Sequence, residues 1–212
     1  VVGYERIDLQ RRFGSAAPPT WLSRPAASTA QPRFGERIAS LLLAFVPWLV
    51  AYEGCVQLGP GARAIDTTLS FERHWPVWAW TAPIYLGAYA WTAAAPFVAT
   101  TQSALRKFVR TTWCGTALIA WCFLSFPFVA LPRPLETFSI FGQWLQLDRA
   151  LDTPACAFPS FHVFWAFAAA ELWQARLGAW PARIVAVLIA ASCVTTGVHS
   201  LLDVIAGWIA YV

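Results

Sequence analysis

The chain has 212 residues, of which 58% are hydrophobic and only 12% charged, with a net charge of +4. Soluble domains carry roughly 25% charged residues, so the composition excludes an ordinary soluble globule and points to a lipid-embedded one. The arginines are scattered and form no stripe, which argues against a nucleic-acid partner. The 13 tryptophans suit membrane interfaces, since the indole pairs an apolar body with one N–H donor.

Residues 1–36 are polar, rich in Pro, Ala and Ser, and carry Arg6, Arg11, Arg12, Arg24 and Arg33. They read as a basic, cytoplasmic lead-in in which Arg6–Phe13 forms a short interfacial helix. Residues 37–212 read as one transmembrane domain. The chain opens on Val1 and stops at Tyr211-Val212 inside an apolar run, which reads as a segment cut from a longer protein.

Crossing a hydrocarbon core of roughly 30 Å takes about 20 helical residues. Apolar runs of that kind extend from about Ile38 to Leu58, Val77 to Ala99, Trp113 to Leu131, Phe161 to Leu177 and Ala182 to Thr196, and a sixth starts at His199 and is truncated at Val212. Residues 184–212 as a single helix would overrun the core by about 13 Å. The break belongs at Thr195-Thr196-Gly197, where glycine can take a left-handed cap. The expected fold is an all-α integral membrane bundle of about six transmembrane helices.

Between these spans, Arg106, Lys107 and Arg110 read as a basic inner loop that sets topology and meets anionic lipid headgroups. Arg176 and Arg183 fall on the same side, and Arg63, Arg73, Arg133 and Arg149 on the other. The excess of cations inside puts the N-terminus in the cytoplasm. Cys114, Cys122 and Cys193 read as small packing residues. Cys55 and Cys156 lie nearer loops, and their spacing carries no pairing information. Glu53 and Glu171 read as ion-paired or interfacial, with Arg176 five residues beyond Glu171. His74, Trp78 and Trp80 read as interfacial.

With that orientation, His162 and His199 emerge on the same extracytoplasmic face, 37 residues apart, the separation a helical hairpin needs. Ionisable groups at the ends of membrane helices are expensive and call for a function. His199 and Asp203, four apart on one helix, share a face, so the carboxylate can orient the imidazole as a nucleophile toward phosphorus. His162 sits where a helix N-terminus favours an anion, with Pro159 suited to the opening turn and Ser160 offering a hydroxyl. His162 is the candidate general acid. Arg133 is the first candidate for gripping phosphate oxygens and Arg149 the second. Neither a metal nor a cofactor is expected.

At these residues the chain resembles the type 2 phosphatidic acid phosphatase superfamily, which also holds vanadium haloperoxidases and the inositol-phosphorylceramide and sphingomyelin synthases. Pro159, Ser160 and His162 match its second motif, and Ser192, His199 and Asp203 match its third in register. Val204-Ile205-Ala206-Gly207-Trp208 is similar too. The resemblance implies His199 as nucleophile, Asp203 as its partner, His162 as acid and Ser160 as a phosphate contact. Cys193 replaces the third motif's arginine. In the first motif Arg133-Pro134 is kept, while Phe126 stands in the lysine's place. A reduced basic set is more similar to the lipid phosphotransferase branch. The expected activity is hydrolysis or transfer of a lipid phosphate through a phosphohistidine. The alternative is a non-catalytic transmembrane module, for transport or scaffolding, which would be supported by His162 and His199 lying far apart.

Overall fold

The computed structural model describes residues 29–59, 64–151 and 154–212. The expected helix at Arg6–Phe13 lies outside them. Among the described residues the architecture is all-α, with seven α-helices and one two-stranded contact. The α-helices are α1 (Phe34–Leu58), α2 (Ala82–Val98), α3 (Gln102–Ser125), α4 (Ile140–Leu151), α5 (Phe161–Leu177), α6 (Ala179–Thr195) and α7 (Leu201–Tyr211). Among them only α1 is by itself long and apolar enough to cross a membrane, while α6 and α7 are shorter apolar helices.

Helix α1 contains Pro47, which cannot donate to the carbonyl of Leu43. The indole Nε1 of Trp113 takes up that carbonyl at 2.6 Å, so the proline's missing donor becomes a tie between α1 and α3. At its other end α1 secures α2: the guanidinium of Arg37 donates to the carbonyls of Pro96 at 2.9 Å and Phe97 at 2.6 Å, two acceptors that the end of α2 leaves open.

Helix α2 starts at Ala82, later than the apolar run from Val77 predicts. Trp78 lies outside the helix, a short 3-10 turn covers Ala79–Thr81, and Pro83 opens the helix proper. Helix α3 starts eleven residues before the expected Trp113. Thr101 caps it, its hydroxyl accepting from the N–H of Ala104 at 3.2 Å. Arg106, Lys107 and Arg110 therefore lie on a helix and not in a loop, and Arg106 is buried. Pro127 follows the C-cap Phe126 and stops α3 short of Leu131.

Helix α5 matches the expected span, and it is the centre of the bundle, touching α2, α3, α6 and α7. Its small residues Ala166, Ala168, Ala169 and Ala170 are all buried and let neighbours approach closely. Gly115 of α3 faces the ring of Phe164, which occupies the space a side chain would need. Glu171 pairs with Lys107 of α3 and accepts the hydroxyl of Tyr211 at 2.7 Å, rather than pairing with Arg176. An i,i+5 spacing turns Arg176 to another side of the helix.

Large apolar side chains remain exposed along several helices, among them Val50, Leu124, Ile184 and Ile209. The α1–α2 and α3–α4 connections meet in the parallel pair Ile65–Asp66 with Phe128–Val129. These connections and the α6–α7 turn share one end of the bundle and build the site. Helix α4, which the apolar runs did not announce, is a short amphipathic piece that buries Leu145 there.

Candidate active site

Helix α5 enters the site through Ser160, its N-cap, so His162 is the second helical residue and Pro159 precedes the cap instead of opening the helix. The His162 ring stacks on Tyr85 of α2, with centroids 4.3 Å apart, and meets the edge of Tyr89 at 5.2 Å. Its Nε2 is buried and has no hydrogen-bond partner among the described residues.

His199 is not on a helix. It sits in the α6–α7 turn, where Gly197 takes φ +67°, the left-handed conformation expected of it. The N–H of His199 donates to the carbonyl of Cys193 at 3.1 Å, tying the turn back onto α6. Ser200 then caps α7 in a reciprocal box. Its hydroxyl accepts from the N–H of Asp203 at 3.2 Å, and its own N–H donates to Oδ2 of Asp203 at 2.8 Å. The same Oδ2 lies 3.6 Å from Nδ1 of His199, within electrostatic reach but longer than a hydrogen bond. Thus Asp203 faces His199 because a capping box presents it, not because the two share a helical face.

The other ring nitrogen of His199, Nε2, lies 3.3 Å from the hydroxyl of Ser160. The rings of His162 and His199 are 5.7 Å apart. Two imidazoles, Ser160 and Asp203 therefore converge at one end of the bundle. Helix α7 holds them close, since a side chain at Gly207 would run into the backbone of Ser160.

Both arginines are tied to backbone carbonyls through their two terminal nitrogens, and they differ in what they border. Arg133 is buried, and its guanidinium donates to the carbonyls of Trp75 at 3.3 Å, Glu72 at 3.4 Å and Val194. Both of its terminal nitrogens are thus engaged by backbone. Arg149, on α4 and not in a loop, donates to the carbonyls of Arg133 and Thr196, each at 2.8 Å. Its Nε has no partner among the described residues. Burial lowers the pKa of both guanidiniums; the Glu72 carboxylate opposes this at Arg133, whereas Arg133 itself adds to it at Arg149. Both remain protonated at neutral pH.

Two cavities adjoin His199. The larger, about 330 Å³, is also lined by His162, with aromatic rings from α1, α2 and α5. The smaller, about 60 Å³, contains Arg149. Arg133 lines neither.

Two groups escaped the sequence reading. Thr67 donates its hydroxyl to Oδ1 of Asp203 at 2.7 Å. Glu72, almost fully buried, accepts the N–H of Leu201 at 2.7 Å and that of Leu69 at 2.8 Å, fastening the 67–75 loop to the start of α7. The sequence does carry the Ser200-x-x-Asp203 capping signal, but nothing local marks Thr67 or Glu72. Of the two replaced motif positions, Cys193 is buried with Tyr85 and Val163, while Phe126 is exposed and its ring stacks on Phe128 at 5.7 Å. Cys55 and Cys156 form no disulfide with each other.

A family model described as the PAP2 superfamily matches residues 64–212, which include Ser160, His162, His199, Asp203, Arg133 and Arg149. No curated protein and no solved structure matches the chain.

Proposed function

The chain belongs to the PAP2 superfamily, and from that premise we propose that it transfers the phosphate group of a lipid through a phosphohistidine on His199. The observation that carries this reading is the 5.7 Å between the His162 and His199 rings at a common cavity. A phosphorus atom between them lies within reach of a nucleophile on one side and an acid on the other. The same closeness counts against the non-catalytic module.

In this scheme Nε2 of His199 attacks phosphorus, and the N–P bond forms as the P–O bond to the leaving group breaks. His162 gives its proton to the leaving oxygen. Water or an acceptor hydroxyl then attacks phosphorus, returns a proton to His162 and releases His199. Asp203, 3.6 Å from Nδ1, stabilises the cationic ring through its charge. Ser160 contacts the phosphate, and Arg149, with Nε unpartnered beside the smaller cavity, takes the role of phosphate cation more readily than Arg133.

The proposed setting is a six-pass membrane bundle with the site on the extracytoplasmic side. Helices α2, α5 and α6, at 17 residues each, are near the lower limit for spanning. The exposed apolar side chains along the bundle call for lipid or protein cover. Uncharged residues, Phe126 and Cys193, at the two replaced cation positions favour the phosphotransferase branch over phosphatases of small soluble substrates.

The test uses a lipid labelled at phosphorus. The wild-type chain is expected to form an acid-labile, base-stable phosphoenzyme and His199→Ala none, with unchanged thermal unfolding. Retained turnover in His199→Ala refutes the nucleophile. Inorganic phosphate as sole product marks a phosphatase, and a new phosphodiester marks a transferase.

A further inference from the structure

The proposed acid, His162, must present an N–H in a defined direction, yet among the described residues no hydrogen bond holds its Nε2. The outer torsion of a histidine side chain is soft and roughly two-fold, so a half-turn exchanges the carbon and nitrogen edges of the ring. Ring contacts must therefore select the edge that faces the leaving group. Tyr85 of α2 lies against the face of His162, with centroids 4.3 Å apart and planes inclined by 28°. Tyr89, one helical turn further along α2, meets it edge-on at 5.2 Å and 75°.

The two tyrosines differ in what they reach. Tyr89 is 44% exposed and lines the larger cavity, whereas Tyr85 is fully buried and lines neither cavity beside His199. A substrate in the larger cavity therefore touches Tyr89 and not Tyr85. Tyr85 is itself held in place: it forms one buried cluster with Val163, Ala190 and Cys193, so α5 and α6 both press on the phenol ring. Its ring lies 6.5 Å from that of His199, and it interacts electrostatically with Arg149 of α4. One buried side chain of α2 thus abuts the acid and neighbours both the nucleophile and the arginine beside it.

We propose that Tyr85 is a positioning residue for the proton transfer, its ring fixing the plane of His162 so that the imidazole N–H meets the leaving oxygen. This deepens the phosphoryl-transfer reading and rests on it. As the P–O bond breaks, the leaving oxygen keeps the bonding electron pair and takes the proton from His162, which ends as a neutral ring. The transfer needs the N–H within hydrogen-bond distance of that oxygen. A ring free to turn offers its N–H only part of the time, whereas a leaving group that departs unprotonated is indifferent to the ring.

The experiment uses the full chain in nanodiscs, as wild type, Tyr85→Phe and Tyr85→Leu. The chain has three histidines, so NMR of histidine-labelled protein resolves each ring, with His162→Gln for assignment and the exposed His74 as internal reference. The His162 ring protons are expected to be shielded by the stacked ring in wild type and Tyr85→Phe, and to move downfield in Tyr85→Leu. The rate of phosphoenzyme formation is then measured with dodecyl phosphate, whose alkoxide needs a proton to leave, and with dodecylnitrophenyl phosphate, whose phenolate does not. Tyr85→Leu is expected to slow the first by about 100-fold and the second by less than about threefold, with Tyr85→Phe near wild type on both. The ratio is taken on one preparation, so a reduced folded fraction cancels. Equal slowing of the two esters, failure of Tyr85→Phe to keep the wild-type ratio, or His162 signals unmoved in Tyr85→Leu overturns the proposal. No phosphoenzyme from either ester, with the His162 signals shifted as expected, counts against the reaction and upholds the hold on the ring.

Discussion

The hydroxyl of Thr67 donates to Oδ1 of Asp203 at 2.7 Å, joining residues 136 positions apart in the chain. The other oxygen of that carboxylate receives the N–H of Ser200 and faces His199. Thr67 therefore acts on the site through Asp203, as a positioning residue. A hydrogen bond to a buried charged group is worth roughly 1.5–3 kcal/mol. Thr67→Val is expected to lower kcat about tenfold with KM nearly unchanged, and Thr67→Ser to restore it. Steady-state kinetics of the two variants check this; wild-type turnover in Thr67→Val, or failure of Thr67→Ser to rescue, counts against the role.

Gly207 and Ser160 set the separation of α7 from the entry to α5. A methyl group at Gly207 meets the Ser160 carbonyl, and overpacking of this kind costs about 1–3 kcal/mol. Gly207→Ala is expected to unfold at lower temperature and to lose turnover through displacement of Ser160. The control is Gly87→Ala, where nothing lies within 4 Å of the added carbon. Thermal unfolding in detergent compares them.

Arg133 and Arg149 carry the same charge and are expected to fail differently. Arg133 ties the carbonyls of Glu72, Trp75 and Val194 together, so Arg133→Gln should mainly lower the unfolding temperature. Arg149 borders the cavity beside His199, so Arg149→Gln should lower kcat/KM by about 100-fold, as loss of a group stabilising transition-state charge does. Assays run well below both unfolding temperatures separate the effects. Equal specific activity in the two variants would sink the distinction.

Acid should loosen the site-end loop through Asp66. Burial raises the pKa of this carboxyl, but hydrogen bonds from Thr68, the backbone of Leu131 and the charge of Arg73 together bring it below its ordinary value. A carboxyl depressed on folding stabilises fully above its unfolded pKa of about 3.9 and loses that contribution as pH falls through the lower folded value. Arg73 is about half exposed, which keeps its share small. The unfolding temperature of the wild-type chain is expected to drop more steeply below about pH 4 than that of Asp66→Asn. Parallel curves would contradict the assignment.

Periodicity and charge identified the helices that are continuous apolar runs. The range of α5 was legible because Ser160 and Gly178 bracket a largely apolar stretch. The start of α3 was not, because Arg106, Lys107 and Arg110 look like a loop until Glu171 on the neighbouring helix supplies the charge Lys107 needs. Helix α4 was missed because twelve residues with two charges fall below any membrane signal. At the site, His162, His199 and Asp203 were legible from residue type and spacing. Their supports were not: Thr67 and Glu72 reach the site through a loop fold, and the Tyr85–His162 stack depends on how α2 packs against α5. The geometry linking His199 to Asp203 does not follow from their four-residue spacing, because a capping box and not a shared helical face sets it.

The position of His199 between two cavities has a stereochemical consequence. If the leaving alcohol departs away from the imidazole, and the acceptor later enters along that same line, each displacement inverts the configuration at phosphorus. Two inversions restore the original hand. A substrate made chiral at phosphorus with sulfur and oxygen isotopes is expected to give a product of retained configuration, whereas direct attack by the acceptor, with no covalent stage, would deliver its mirror arrangement.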